Sequence, residues 1–304
     1  IYDNGEEIGT ATVEGGVWNF TPDTALEGGE HIFTVTSTNA AGNVSPASPP
    51  FTINIDVDAP TKPAIGEVTD SVDENTGPLA SGDETNDPLP TVSGTGNEGD
   101  TITLYNGNTV LGTTVVGEDG RWSLTPDNPL TEGTYQLHVT ATDPAGNVSD
   151  PSDEFEIRVD LSAPADPVLV SVEDNTNTTP VPIDSGDRTV DSTPLLTGTA
   201  EGNTLITVLV DGVAVGTTTS DANGDWTFTP PTALTDGPHT ITLTATDSAG
   251  NTTQPVGNFT LTVDTTGPDL PVINSITDNV GGITDPLDDG SLTDDNKPTF
   301  TGTA

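Results

Sequence analysis

Thr101-Ile102-Thr103-Leu104-Tyr105-Asn106-Gly107-Asn108-Thr109-Val110 is the stretch that decides how this chain folds. Side chains alternate across a strand, so Ile102 and Leu104 point one way and Thr101 and Thr103 the other. Asn106-Gly107 then supplies the residues that a tight hairpin needs, and the chain returns along Thr109 to Val116. Working outward, Ala64 to Thr69 and Thr91 to Gly96 read as strands, with a Gly-, Asp- and Asn-rich loop from Asp70 to Pro90 between them. Downstream, Gly117-Glu118-Asp119-Gly120 turns the chain into Arg121 to Thr125, which carries Trp122. Thr134 to Thr142 places Tyr135, Leu137, Val139 and Ala141 on one face, and Asp143 to Asn147 is a turn. Val148 to Val159 closes the unit with Phe155, Ile157 and Val159 inward. Seven strands with turns between them and no helical period predict an all-β protein built as an Ig-like seven-stranded β-sandwich.

The unit recurs. Trp18, Trp122 and Trp226 stand 104 residues apart, and the same step carries Ala41-Gly42-Asn43 onto Ala145-Gly146-Asn147 and Ala249-Gly250-Asn251. A fixed step of this size marks a tandem array. It predicts two whole domains, 60–163 and 164–267, flanked by partial ones at 1–59 and 268–304. Function is then to be sought in the array and its joints, because a catalytic site would normally break the repetition.

The chain holds 48 acidic residues against five basic ones, Lys62, Arg121, Arg158, Arg188 and Lys297, for a net charge of −43. No basic patch can neutralise phosphates, which excludes nucleic acid, and anionic membrane surfaces are disfavoured. No apolar run is long enough for membrane insertion. Without cysteine there is no disulfide staple, and a metal is the obvious substitute. Methionine is absent even at position 1, which reads as an internal piece of a longer chain.

The segment Leu130-Thr131-Glu132-Gly133-Thr134-Tyr135 fits the tyrosine corner of Ig-type folds, with His31 and His239 in the place of Tyr135. Each histidine could be a metal ligand or a base; the simpler reading is a corner anchored by a hydrogen bond. The three tryptophans could be sugar-stacking platforms; one per unit on an inner strand face reads as core.

The recurring strings Gly-x-Trp-x-Phe/Leu-Thr-Pro, Leu-x-x-Gly, Thr-Ala-Thr-Asp-x-Ala-Gly-Asn and Val-Asp-x-x-x-Pro resemble the bacterial Ig-like repeats of giant, acidic, type I-secreted adhesins of Gram-negative bacteria. The resemblance covers essentially the whole chain. It implies a secreted or cell-surface rod whose repeats project a binding region, with calcium stiffening the joints. The first unit departs from the pattern, since Asn39 replaces the aspartate of Asp143 and Asp247.

The strand order predicts where the carboxylates gather. One end of each sandwich holds the loop Gly96 to Asp100, the turn Gly117 to Gly120 and the turn Asp143 to Asn147, and the preceding segment Asp56-Val57-Asp58 arrives there. Calcium takes about six to eight oxygen ligands. Asp56, Asp58, Glu98 and Asp143, completed by Asn147 or carbonyls, form one candidate set; Asp160, Glu201 and Asp247 form its counterpart. A second kind of cluster lies in the long loop: Asp70, Asp83 and Asp87, then Asp174, Asp187 and Asp191, then Asp278 and Asp295 with Ser291 in the middle place. Lys and Arg are read as lying away from these loops. The competing reading is that acidic loops are simply solvated.

The function expected is a calcium-rigidified stalk in a bacterial surface adhesin that serves attachment or biofilm formation. Its partners would be the neighbouring Ig-like repeats and, through the parent protein, a host-cell surface or glycan. Two alternatives stay open: repeats that themselves bind glycans or receptors, and an accessory module of a secreted carbohydrate-active enzyme. Enzymatic activity is not expected, because no Ser/His/Asp set recurs and three histidines offer no catalytic metal spacing.

Overall fold

The computed structural model describes residues 1–73, 75–281 and 286–304, and among these every regular element is a β-strand. The chain divides into two compact units. The first comprises Ile1–Pro164 with Thr246–Thr252; the second comprises Ala165–Ala245 with Thr253–Ala304.

The first unit contains a complete sandwich. One sheet runs Thr109–Val115, Thr101–Asn106, Gly133–Thr142, Phe155–Val159, Glu84–Thr85; the other runs Arg121–Leu124, Thr91–Thr95, Ala64–Asp70, Gly77–Leu79. The hairpin closes between Asn106 and Thr109, with Gly107 at a φ of 55° that suits glycine. Ile102 and Leu104 are fully buried and share one core with Leu137, Val139 and Ile157 of the same sheet and Val68 and Val92 of the opposite one. Each such side chain contributes about 1.5–3 kcal/mol by leaving water. Trp122 joins them at 3 % exposure, donating its indole N–H to the Thr95 carbonyl at 3.1 Å. It is a core residue, and Gly94 makes room for it, since a Cβ there would lie 2.5 Å from Trp122 Cζ2.

Two expectations need correcting. The loop from Asp70 to Pro90 contains two short strands, and Glu84–Thr85 crosses to pair in parallel with Phe155–Val159. The closing strand is shorter than Val148 to Val159. Val148 makes one isolated bridge to Thr142, and regular pairing resumes only at Phe155. The reason lies in Pro151, which lacks an N–H, and in two serines whose hydroxyls take over from the ladder. Ala141 N–H donates to Ser149 Oγ and Val139 N–H to Ser152 Oγ, each at 3.0 Å.

The first 57 residues form a four-stranded sheet in the order Glu6–Glu7, Tyr2–Asp3, Gly29–Thr34, Phe51–Ile55. Trp18 has no sheet over it here and is 45 % exposed.

The second unit repeats the complete sandwich. Its sheets run Val181–Pro182, Val168–Asp174, Leu195–Thr199, Asp225–Phe228 and Arg188–Thr189, Val256–Val263, Gly237–Thr246, Leu205–Val210, Val213–Thr219. Its core centres on Leu196, Ile206, Val208, Trp226, Ile241, Leu243 and Leu261. A three-stranded sheet of Pro286–Leu287, Val272–Thr277 and Thr299–Thr303 follows.

Candidate cation-binding loops

In the long loop the strand Ala64–Asp70 ends at a buried carboxylate. Asp70 Oδ1 accepts the Val72 N–H at 2.8 Å, and Asp70 Oδ2 accepts the hydroxyl of Thr85. Thr85 Oγ1 in turn accepts the Asp87 N–H at 3.0 Å. Asp87 reaches back, taking the Ser71 N–H and hydroxyl on Oδ2 and the Leu89 N–H on Oδ1. The two ends of the loop are thereby tied through one threonine.

The same knot recurs as Asp174, Thr189 and Asp191, and again as Asp278, Thr293 and Asp295. In every copy the second aspartate takes the amide one residue past the first, and also the amide two residues past itself. The structure brings Asp70 and Asp87 together in this way, and their counterparts likewise. Asp83 and Asp187 stand apart: each takes an amide of its own turn, Ala80 and Asp184 respectively. Thr85, Thr189 and Thr293 were not singled out from sequence. Their signal was present, because Thr-x-Asp recurs at the 104-residue step.

In the turn Asp143 to Asn147, Asp143 Oδ1 accepts the amides of Ala145, Gly146 and Asn147 at 2.7–2.9 Å. Asp143 Oδ2 accepts Asn147 Nδ2 at 2.8 Å, and that amide group also donates to the Asp56 carbonyl at 3.1 Å. The side-chain amide of Asn147, supported by these backbone N–H groups against the opposing effect of burial, holds the Asp143 carboxyl below its usual range. Asn251 repeats the arrangement, donating to Asp247 Oδ2 at 3.0 Å and to the Asp160 carbonyl at 2.9 Å. Asn39 caps its own turn as a neutral residue, accepting the amides of Ala41 and Asn43.

The structure thus assembles Asp56, Asp143 and Asn147, and separately Asp160, Asp247 and Asn251. Asp58 folds back, its amide on Asp56 Oδ1. Glu98 is exposed, and Glu201 takes the Ala165 amide at 3.3 Å.

The expectation that cations lie away from these loops is corrected by Arg158. Its guanidinium pairs with Glu84 and, at 3.2 Å, with Asp160, and the Asp247 carboxylate adds to the field that raises its pKa. Strand geometry is the cause: the parallel pairing sets Glu84 beside Arg158, although they are distant in sequence. Arg188 similarly reaches Asp264 at 3.5 Å.

All the donors in these loops are hard oxygens, the chemistry that suits calcium. Asn86 Oδ1 is buried without a donor, beside the backbone amide that bonds the Ala249 carbonyl. Among the described residues, no group of three or more His, Asp or Glu side chains converges as a ready-made metal cage. A bound calcium ion would therefore draw part of its shell from carbonyl and side-chain amide oxygens.

Both corner histidines are anchored by hydrogen bonds. His31 meets Asp3 Oδ2 and the Glu27 carbonyl, and His239 meets Asp211 Oδ2 and the Thr235 carbonyl.

Among solved structures, the chain is similar to fibronectin(III)-like modules of Clostridium thermocellum CbhA, at 18% identity over 64% of this chain and 93% of that one, with a TM-score of 0.40. It is similar to the BSP domain of a biofilm-associated protein at 25% identity, over 62% of this chain and 30% of that one, with a TM-score of 0.25. It is also similar to a tetra-tandem repeat from the extending region of a large adhesion protein, at 21% identity over 96% and 76%, with a TM-score of 0.26. No curated protein matches the sequence. Among the described residues no helix is long and apolar enough to cross a membrane. The family model described as "Bacterial Ig-like domain" matches residues 1–57, 62–161 and 166–265, three times in tandem. This chain belongs to the bacterial Ig-like domain family.

Proposed function

We propose that this chain is a spacer segment of a bacterial surface adhesin, exported from the cell, whose repeats hold a binding region away from it and are stiffened by calcium. The observation that carries the reading is the repeated hold on the linker. Asn147 grips the Asp56 carbonyl and Asn251 grips the Asp160 carbonyl, each from an Asp-capped turn. A linker fixed at its backbone by the following repeat transmits force and direction, which is what a spacer requires. The excess of 48 acidic over five basic residues, a net charge of −43, supports a cation as the missing neutraliser.

In this reading Asp56, Asp58, Asp143 and Asn147 serve one ion, and Asp160, Asp247 and Asn251 another. Asp70 and Asp87 with their counterparts keep the long loop in shape. Extracellular modules bind calcium with dissociation constants on the order of 10⁻⁴–10⁻³ M, so the segment would stay empty in the cytosol and fill outside. Small-angle X-ray scattering with calcium and with EDTA tests this. Chelation should broaden the distribution of interatomic distances, and Asp143→Ala should reproduce part of the change with calcium present. Superimposable profiles in calcium and EDTA would remove the calcium half of the proposal.

A further inference from the structure

The two corner histidines carry a property that the middle repeat lacks. His31 Nδ1 lies 2.5 Å from Asp3 Oδ2 and its Nε2 lies 2.9 Å from the Glu27 carbonyl oxygen. His239 Nδ1 lies 2.8 Å from Asp211 Oδ2 and its Nε2 lies 2.7 Å from the Thr235 carbonyl oxygen. All four partners are acceptors. A neutral imidazole has one N–H and would turn its second nitrogen lone pair against an oxygen; the imidazolium donates to both. Both histidines are buried, so a ring nitrogen that loses its partner is poorly placed to find water, although the Asp211 carboxylate itself is half-exposed.

The chain contains its own comparison. Where the first and third repeats have histidine, the middle repeat has Tyr135, whose hydroxyl donates to the Thr131 carbonyl at 3.0 Å and accepts the Thr131 amide at 2.9 Å. The hairpin residue changes in step. Asp211 Oδ1 accepts the Thr240 amide at 2.8 Å, whereas at the middle repeat's hairpin Asn106 Oδ1 accepts the Gln136 amide at 3.0 Å. Asp3, Gly107 and Asp211 stand at the 104-residue step, so the carboxylate at this position is present where the corner is histidine and absent where it is tyrosine.

We infer that His31–Asp3 and His239–Asp211 are proton-dependent locks that make the first and third repeats, but not the middle one, lose stability in mildly alkaline solution.

The surroundings agree. Asp3 is the charge that acts on His31, which the Asp3 hydrogen bond, with the Glu27 carbonyl, raises above 6.5. Burial pulls His239 down, but the Thr235 carbonyl and the Asp211 carboxylate outweigh it and leave the group above 6.5 as well. The strands opposite contribute Ile53 and Leu261, both uncharged. Asp236 at the corner is occupied by Thr265 and Thr266. A folded value raised above the unfolded one gives stability that is complete below pH 6.5 and is lost as pH rises through the folded value. Each unit of separation is worth up to about tenfold in the folding equilibrium constant of that repeat.

The test uses the whole chain in urea titrations between about pH 6 and 8.5, the range over which histidine changes charge. The indole N–H signals of Trp122 and Trp226 are followed by NMR, so the middle and third repeats report separately. The Trp226 midpoint should fall with rising pH while the Trp122 midpoint holds. The ring signal of His239 should titrate above 6.5. The double variant His239→Tyr with Asp211→Asn gives the corner the middle repeat's tyrosine and removes the carboxylate, and it should abolish the Trp226 slope while staying folded. His239→Gln should abolish the slope too, at lower stability. A His239 midpoint at or below 6.5 would overturn the inference, as would a flat Trp226 response in the parent chain or a slope that survives both variants.

Discussion

Replacing Asp191 by asparagine keeps the size of the side chain and removes half of its accepting capacity. Asp191 is 1 % exposed. Its Oδ2 accepts the Asn175 amide at 2.9 Å and its Oδ1 accepts the Thr193 amide at 2.8 Å. In asparagine one of these oxygens becomes an NH₂ group, which faces a backbone N–H from a buried side chain. An orphaned buried donor costs about 1–3 kcal/mol, and the surviving bond loses its charge assistance, so the loss should total about 2–4 kcal/mol. For a domain of roughly 100 residues that is a fall of about 10–20 °C in Tm. The assay is thermal unfolding followed by Trp226 fluorescence, with Asp187→Asn as the control. Asp187 takes only the Asp184 amide of its own exposed turn, which an asparagine oxygen can also accept, so a change under about 1 kcal/mol is expected. Running both variants in calcium and in EDTA separates two roles. A hydrogen-bonded knot gives the same loss in each, whereas an ion ligand gives a larger loss with calcium. Asp191→Asn melting within about 2 °C of the parent, or Asp187→Asn proving equally damaging, would refute the reasoning.

Gly94→Ala would place a methyl group 2.5 Å from both the Ala64 carbonyl oxygen and Trp122 Cζ2. It should cost about 1–3 kcal/mol or more by overpacking, visible as an altered Trp122 near-UV signal. Arg158→Ala removes the resident cation between Glu84 and Asp160, so melting of the first unit should depend more steeply on calcium; an unchanged dependence would show that Arg158 and the ion do not share a site. On the acid side, Asp143, Asp174, Asp211 and Asp278 all have folded values below 3.8. Depressed values give stability that is present above 3.8 and is lost as pH falls through the still lower folded values. Urea midpoints should therefore not collapse until the solution is more acid than that.

The strands were legible because Ile102, Leu104, Leu137, Val139 and Ile157 alternate with polar neighbours, and the pleat converts that alternation directly into a buried face. The repeat length and the core tryptophans of the complete repeats followed from spacing alone. What escaped depends on contacts that a linear pattern does not mark. Glu84–Thr85 is too short to show a period, yet it crosses sheets and brings Glu84 to Arg158. The carboxylates could be counted, but their occupation by amides and hydroxyls could not. Thr85 links Asp70 to Asp87 in the fold, whereas Asp83 belongs to a turn of its own. The threonine between the two was passed over, because a hydroxyl carries no charge to draw attention.

The serines that follow the Asp143 turn have a consequence for manufacture as well as for shape. Tandem copies of one sequence are hazardous neighbours during folding, since any strand of one copy carries the right side chains to invade another. At Ala141 and Val139 the amides are engaged by hydroxyls of the chain's own next few residues, not by a long matching strand. Ser45, Ser48 and Thr253 do the same in the flanking copies. Such bonds close over a span of 8 to 13 residues, so forming them costs little loop entropy compared with pairing to a distant copy. Each copy thereby satisfies part of its own strand from within, which leaves less unpaired backbone for a neighbouring copy to capture.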